Sequence, residues 1–246
     1  MTRPSSSMDF AIGDGWAAYE GSHADHLAHA HVAIQLAIAR SGMVRVVLDG
    51  DRVLTGQAVI VGPRVRHQMV DVGDPLLLLY LETHTALASR LLASIAPAVA
   101  AVAPPAVMAS LNLRASAMTI VEGLSVGFGS REGRLDPRLE EALLKASKDP
   151  APGAVARAAA SVGLSPARLR ALAQTQIRVP LSQWLLWQKL QRAGREIARG
   201  AGLAEAAVAG GFADQAHLTR ITRRMFGVTP SQASGAVRAV GNRFVQ

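Results

Sequence analysis

The chain has 246 residues, of which half are apolar and 4% aromatic, with 26 Lys and Arg against 18 Asp and Glu. This length allows one large domain or two ordinary ones, and either can bury a sizeable core. The sequence has no cysteine, which excludes disulfides, cysteine-ligated zinc, iron–sulfur clusters and thiol nucleophiles.

Neither a secretory signal nor a membrane span is expected. Residues 1–16 lack an apolar core and carry two aspartates, so we expect a cytoplasmic protein. Residues 91–111 are uncharged, but they are mostly alanine and are interrupted by Pro97, Pro104 and Pro105. This stretch therefore predicts a helix followed by a loop.

Residues 29–82 predict a series of short strands. Over residues 32–39, branched apolar residues alternate with small or polar ones, and this period of two is typical of a strand. Other strands are expected at 43–48, 58–61 and 76–81, and the DGD sequence at 49–51 predicts a tight hairpin turn. Short strands between Gly and Pro turns favour a small antiparallel barrel or sandwich.

From residue 84 to 147 the spacing of the leucines becomes helical. The small and polar stretch 127–133 predicts a domain boundary within this region. After it, Asp136 is the predicted N-cap of a helix with Pro137 in its first turn, and residues 148–153 end that helix.

The C-terminal region repeats one helix-turn-helix unit. A short helix at 154–162, a turn at 163–164 and a second helix from 165 to about 176 recur 48 residues later as 203–209, 210–212 and 214–226. Gly163 and Gly211 suit the left-handed backbone of a sharp turn between helices. A helix with an apolar stripe is predicted at 181–199, and a capping box at 229–232.

The positive charge is concentrated in these repeats. Residues 1–135 carry 10 Arg and 11 acidic residues, whereas residues 136–246 carry 16 Lys and Arg and 7 acidic residues. Such an asymmetry points to an acidic partner for the C-terminal half, most often nucleic acid. A solvated basic surface is the alternative explanation.

The C-terminal region resembles the AraC/XylS family of bacterial transcription regulators. The resemblance covers 136–246 and is carried by LQRA at 190–193, GFADQAHL at 211–218, Arg220 and FGVTPS at 226–231. It implies two helix-turn-helix units, held by a linker helix, whose second helices enter successive major grooves about 34 Å apart. A 19-residue linker helix spans roughly 28 Å, which is close to this repeat.

The family pattern also indicates which side chains face DNA. The polar residues at groove-facing positions are assigned to base reading: Arg170, Gln215, His217 and Arg220. Phosphate contacts, which position the protein without specifying sequence, are assigned to Arg168, Thr219, Arg223 and Arg224. The chain departs from the family near Ala173 and Thr222, where aromatic residues are usual, and each loss could remove about 2–4 kcal/mol of packing.

The N-terminal strands resemble a cupin, a barrel that often precedes this DNA-binding part. His29, His31 and Gln35 follow the outline of the first cupin motif, and His67 that of the second. Metal-binding cupins have a Glu where this chain has Gln35, and a neutral amide is a poor ligand for a divalent ion. We therefore expect a metal-free effector pocket without a cofactor, with a three-histidine metal site as the alternative.

Strand parity supports a pocket at these residues. His29, His31, Ala33, Gln35 and Ala37 fall on one face of the predicted strand, and the branched residues fall on the other. Alanines beside a few polar groups leave room for a small ligand. His23 and His26 add to the local density of histidine.

The predicted fold is α+β, with an N-terminal cupin-like β-barrel and accessory helices followed by an all-α domain with two helix-turn-helix units. The domains are an effector-binding barrel at 1–83, a helical linker or dimerisation region at 84–133 and the DNA-binding domain at 134–246. The predicted function is sequence-specific, effector-responsive transcription regulation without enzymatic activity. The expected partners are double-stranded DNA, a small-molecule effector, RNA polymerase and a second copy of the chain.

Two other functions were weighed. A cupin-type metal-binding protein or metalloenzyme with a C-terminal interaction module would need stoichiometric metal and turnover, and the absence of Glu at residue 35 argues against it. A non-specific DNA-coating protein is disfavoured by the polar recognition helices and the modest total charge.

Overall fold

The N-terminal half is built from two antiparallel sheets. The computed structural model describes residues 9–21, 27–70, 73, 75–127, 135–149 and 152–231. Its strands are β1 (Asp9–Gly13), β2 (Trp16–Gly21), β3 (Ile34–Ala39), β4 (Val44–Leu48), β5 (Val53–Gly56), β6 (Ala58–Val61), β7 (His67–Met69), β8 (Leu76–Leu81) and β9 (Ala100–Val102). The larger sheet has the order β1-β2-β8-β3-β6-β9 and the smaller has β5-β4-β7.

The strands predicted at 32–39, 43–48, 58–61 and 76–81 are confirmed as β3, β4, β6 and β8. The hairpin turn is confirmed as well, because Gly50 and Asp51 both have positive φ between β4 and β5. Strands β1, β2 and β7 were not predicted. The expectation of a helix and a loop over 91–111 is wrong in part, since β9 lies in this stretch and pairs with β6 at the edge of the larger sheet.

Strand β3 is buried on both faces, and the two faces have different partners. Ile34, Leu36 and Ile38 pack against the accessory helices α1 (Ala86–Ile95), α2 (Pro105–Ala109) and α3 (Ala117–Gly127). Ala33 and Ala37 face the interior between the two sheets, together with residues of β4 and β7. The predicted parity is therefore confirmed, and the small side chains lie on the inner face.

The C-terminal half is helical, as predicted. The described helices are α4 (Pro137–Lys148), α5 (Ala154–Ser161), α6 (Pro166–Gln176), α7 (Leu181–Ala198), α8 (Leu203–Ala209) and α9 (Gln215–Phe226). Asp136, Ser165 and Asp214 accept N–H bonds as N-caps of α4, α6 and α9. Gly163 and Gly211 have φ of +67° and +78° in the turns.

Two predicted features fall partly outside the described residues. Residue 127 ends α3, and the rest of the boundary stretch 127–133 lies outside them. A helix begins at Pro230, whereas Gln232 of the predicted capping box is not described. Within the described part of the chain, no helix combines the length and the apolarity needed to cross a membrane.

A single hydrophobic cluster joins the two halves. It contains interior residues of both sheets, such as Val46 and Tyr80, and residues of the helices α4–α9, such as Trp187 and Met225. The end of α9 lies against the chain that precedes β3, where the Leu27 N–H donates to the Gly227 carbonyl at 3.4 Å. The C-terminal helices thus pack over one side of the two sheets. We call these two sheets the barrel and the covered side its mouth.

Gly227→Ala tests this close approach. Gly227 has φ of +72°, and an alanine Cβ would lie 2.5 Å from the Leu27 oxygen. We expect a loss of roughly 2–4 kcal/mol of unfolding free energy, because left-handed strain and overpacking add. The matched control is Gly163→Ala, since Gly163 has φ of +67° and no atom within 4 Å of the added Cβ. Equal losses in urea unfolding of the two variants would contradict the described docking.

Candidate DNA-binding surface and buried histidine centre

Helix α6 is the second helix of the first helix-turn-helix unit and presents two of the assigned residues. Arg168 and Arg170 are both exposed, whereas Leu169 and Ala173 on the opposite side are buried. Ala173 is fully buried in the same cluster as Trp184 and Trp187. The family usually has an aromatic residue near Ala173 on α6. In this chain, the indoles of Trp184 and Trp187 lie in the cluster that surrounds this alanine.

Helix α9 is the corresponding helix of the second unit. Four of its assigned residues are exposed: Gln215, Arg220, Arg223 and Arg224. His217 and Thr219 are half-buried and already bonded, since His217 Nδ1 accepts from the Ala213 N–H at 3.5 Å and Thr219 Oγ1 donates to the Gln215 carbonyl at 2.9 Å. The Thr222 hydroxyl likewise donates to the Leu218 carbonyl on the buried side.

The linker helix α7 holds the two units. Its 18 residues span about 27 Å. Lys189 Nζ donates to the Gly211 carbonyl at 2.9 Å, and Arg192 donates to the Lys148 carbonyl at 2.7 Å, at the end of α4. One helix therefore fixes both the turn of the second unit and the helix that precedes the first.

The four residues assigned to the effector pocket are brought together and buried. His29 and His67 pair across the two chain segments through mutual backbone bonds of 2.9 Å. His31 precedes β3, which carries Gln35, and each of the four side chains is at most 2% exposed. We call this group the histidine centre. His23 and His26 lie outside the described residues.

Backbone carbonyls fix the tautomers of the three imidazoles. Nδ1 of His29, His31 and His67 lies 2.8–2.9 Å from the carbonyls of Leu27, Ala33 and Val65. A carbonyl only accepts, so each Nδ1 carries the hydrogen and each Nε2 of a neutral ring is an acceptor. Nε2 of His31 and of His67 lies 3.0 and 3.2 Å from the Gln35 Oε1.

This arrangement favours neutral imidazoles. Burial, together with the nearby His31, lowers the pKa of His29 to about 4. Burial also lowers the pKa of His31, against the opposing effect of the Gln35 Oε1, which can accept a hydrogen bond from the charged ring. One ring nitrogen from each of the three histidines lies within 4.8 Å of the others. Neutral imidazoles with the remote N–H held by a carbonyl have the orientation of histidine ligands to metals.

Aromatic rings from both halves surround the centre. The His31 ring lies 5.2 Å from Tyr80 in the barrel, 6.4 Å from Trp187 in α7 and 6.3 Å from Phe226 at the end of α9. The Tyr80 and Phe226 rings meet edge-on at 5.3 Å. The centre is therefore in direct contact with the linker helix, through Trp187, and with the second recognition helix, through Phe226.

A buried carboxylate joins the barrel rim to the linker helix. Glu82 is 5% exposed and accepts from Trp184 Nε1 at 3.1 Å and from Gln188 Nε2 at 2.9 Å. The adjacent Thr83 hydroxyl donates to the Ile177 carbonyl, at the end of α6, at 2.7 Å. Sequence analysis missed this contact, although Glu82 is the only acidic residue in 75–90 and directly follows an apolar strand.

Comparison with known proteins places the C-terminal region in a family. Residues 158–235 match the family model described as a helix-turn-helix domain. This region is an AraC-type helix-turn-helix domain. The helix-turn-helix domain implied by the resemblance to the AraC/XylS family is thereby confirmed for this region. No curated protein matches the sequence.

The whole chain is similar in fold to ToxT from Vibrio cholerae. One structure of ToxT, from strain O395, is 11% identical with a TM-score of 0.55, covering 92% of this chain and 99% of that one. Wild-type ToxT bound to an unsaturated fatty acid is 10% identical with a TM-score of 0.54, covering 98% of this chain and 100% of that one. The α+β prediction of N-terminal antiparallel sheets and a helical AraC-type domain is confirmed. The described strands form two sheets instead of one closed ring.

Trp184→Phe tests the rim contact. The variant keeps an aromatic ring but leaves the buried Glu82 carboxylate without one of its donors, so we expect a loss of about 1–3 kcal/mol in unfolding free energy. Circular dichroism during urea unfolding measures it. Gln183→Ala, at an exposed position on the same helix, is the control. A variant as stable as the wild type would show that the contact contributes nothing.

Stability should also depend on the charge of the histidine centre. The pKa of His29 in the folded protein, about 4, is below its ordinary value of 6.5, so the unfolded chain binds more protons between these pH values. The contribution is fully present above pH 6.5 and is lost as the pH falls towards 4, on the order of 3 kcal/mol in all. Urea unfolding in chelator at several pH values measures this loss. His29→Gln should weaken the dependence, because it removes the imidazole whose pKa is lowered.

Proposed function

We propose that this protein is an effector-responsive transcription regulator that reads two successive major grooves with α6 and α9. The proposal rests on the exposure of arginines on both helices. The helix α7 also holds both units through hydrogen bonds and a shared core. A second helix of such a unit enters the major groove, and a rigid linker sets the spacing of the two contacts.

Base reading is assigned to the side chains at groove-facing positions: Arg170, Gln215, His217 and Arg220. Arg and Gln make bidentate contacts with guanine and adenine, and His217 offers its Nε2–H because its Nδ1 accepts a backbone bond. Phosphate contacts are assigned to Arg168, Thr219, Arg223 and Arg224. The Thr219 hydroxyl donates its hydrogen to the Gln215 carbonyl within the helix. A phosphate oxygen needs a donor, so the hydroxyl must rotate away from this carbonyl to contact a phosphate.

The histidine centre is the proposed effector site. ToxT, which shares the fold, has been solved with an unsaturated fatty acid bound, and this supports a ligand-binding role for the N-terminal half here. The centre touches α7 and α9 through Trp187 and Phe226, so a ligand there reaches the DNA-binding helices without an intermediate element. A metalloenzyme is disfavoured, because a neutral amide, Gln35, stands where metal-binding cupins have a glutamate.

The remaining assignments follow the proposed role. The barrel at 1–83 would sense the effector, the helices of 84–133 would join two copies, and 134–246 would bind DNA. Met118 and Val126 on α3 are exposed apolar residues in that middle region. RNA polymerase is the proposed partner at promoters, and the cytoplasm is the proposed location.

Selection of bound sites from genomic DNA by the purified chain tests this function. We expect enriched half-sites about one helical turn apart, because the two recognition helices sit on one linker. Enrichment that follows base composition alone would show non-specific coating. The genes beside the sites would indicate whether binding activates or represses.

Single substitutions on α9 separate base reading from phosphate contact. Arg220→Ala or Gln215→Ala should cost about 1–3 kcal/mol on the selected site and relax preference at one base pair. Arg223→Ala should weaken binding uniformly and reduce the salt slope by about one. Titrations of site variants at several salt concentrations measure both effects. A uniform loss for Arg220→Ala would contradict base reading.

A further inference from the structure

The third turn of α6 carries one polar side chain that the fold does not use. The Thr175 hydroxyl donates to the Ala171 carbonyl at 3.0 Å, and the Gln176 Oε1 accepts from the Asp136 N–H at 2.8 Å. Gln174, beside them, is exposed, and its amide forms no hydrogen bond within the described part of the chain. It therefore keeps both a donor and an acceptor available for a partner.

Gln174 shares a face of α6 with Arg170, which is assigned to base reading. Successive residues of an α-helix are rotated by about 100°, so residues at i, i+3, i+4 and i+7 form one face. On α6 this spacing gives four exposed residues: Ala167, Arg170, Ala171 and Gln174. The buried Leu169 and Ala173 lie on the other side. The same spacing relates the base-contacting residues of a homeodomain recognition helix, which lies in the major groove.

The short side chains on this face allow a close approach to DNA. Ala167 and Ala171 each contribute only a methyl group, so no long side chain holds the middle of the helix away from the bases. The amide of Gln174 extends less far than a guanidinium, and it reaches a base edge only if the helix lies deep in the groove. The major groove is wide enough to admit a helix to this depth.

The chemistry of Gln174 favours a base over a phosphate. When α6 and α9 are aligned on their N-caps, the buried Leu169 and Leu218 coincide, and Gln174 corresponds to Arg223. Arg223 carries the positive charge that strengthens a phosphate contact, whereas the amide of Gln174 is neutral. An amide matches adenine, which presents the N6 donor and the N7 acceptor in the major groove. Guanine presents two acceptors there and leaves the amide oxygen unpaired.

We propose that Gln174 is a further base-reading residue, which recognises an adenine in the half-site of α6. This rests on the DNA-binding function proposed above and adds one base pair to the sequence that the first unit reads. The Gln174 Oε1 accepts from the adenine N6 amino group, and its Nε2–H donates to adenine N7. The first unit then reads bases with Arg170 and Gln174, from two successive turns of α6.

Substitutions at residue 174 and an adenine analogue test the proposal on a site from the genomic selection. Gln174→Ala should weaken binding about fivefold or more and relax the preference for adenine at one base pair. Replacing that adenine by 7-deazaadenine, which lacks the N7 acceptor, should weaken binding of the wild type by a similar factor and have no further effect on Gln174→Ala. Gln174→Arg should change the preferred base to guanine, because arginine donates to both O6 and N7. Thr175→Ala, in the same turn, is the control and should keep the preference for adenine.

The place of this base pair in the site is a second requirement. It should lie about one helical turn from the pair whose preference Arg220→Ala relaxes, because α6 and α9 occupy successive grooves. Three results overturn the role of Gln174 and leave the regulator function intact: unchanged or uniformly reduced affinity in Gln174→Ala, an equal effect of 7-deazaadenine on both proteins, or an adenine within the half-site of Arg220. Absence of any selected site for the wild type overturns the regulator function itself.

Discussion

The arrangement depends on the burial of the barrel mouth by the DNA-binding helices. Apolar residues of the two sheets and of α4–α9 form one cluster, so the N-terminal and C-terminal halves share a core. Inside this contact, the Glu82 carboxylate accepts hydrogen bonds from the indole of Trp184 and the amide of Gln188. A buried carboxylate with two donors fixes the register of α7 on the barrel more strictly than apolar packing alone.

This contact explains how a small site could control DNA binding. A ligand in an ordinary barrel would alter the barrel first and the distant helices only through a chain of contacts. Here the Phe226 and Trp187 rings lie within 6.4 Å of the His31 ring, and each belongs to a helix that positions a recognition unit. The proposed effector site lies next to the helices that it would control, so coupling would need only a change in the strength of the contact between the two halves.

Much of the fold was predictable because its signals are local. The period of two over 32–39, the glycines at 163 and 211 and the helix cap at 136 each depend on a short stretch of sequence, and the structure confirms them. Strand β9 was missed because an Ala-rich segment has no strand pattern of its own and becomes a strand by pairing with β6. The four pocket residues were predicted to lie together, and they do.

The roles of these residues required information that no local pattern holds. Whether His29, His31 and His67 offer lone pairs or hydrogens depends on the carbonyls of Leu27, Ala33 and Val65, whose directions are set by the folded chain. The partners of Glu82 are more than 100 residues away, at 184 and 188. The sequence shows that these side chains are present, but it does not show how far apart they lie in the folded chain.

The aromatic rings that cover the histidine centre have a consequence for excised fragments. Trp187 and Phe226 find much of their apolar surroundings in Tyr80 and His31, which belong to the barrel. In a C-terminal fragment produced alone, these rings would form an exposed hydrophobic patch that favours aggregation. Its solubility and its DNA affinity would then describe a molecule that the intact chain never contains.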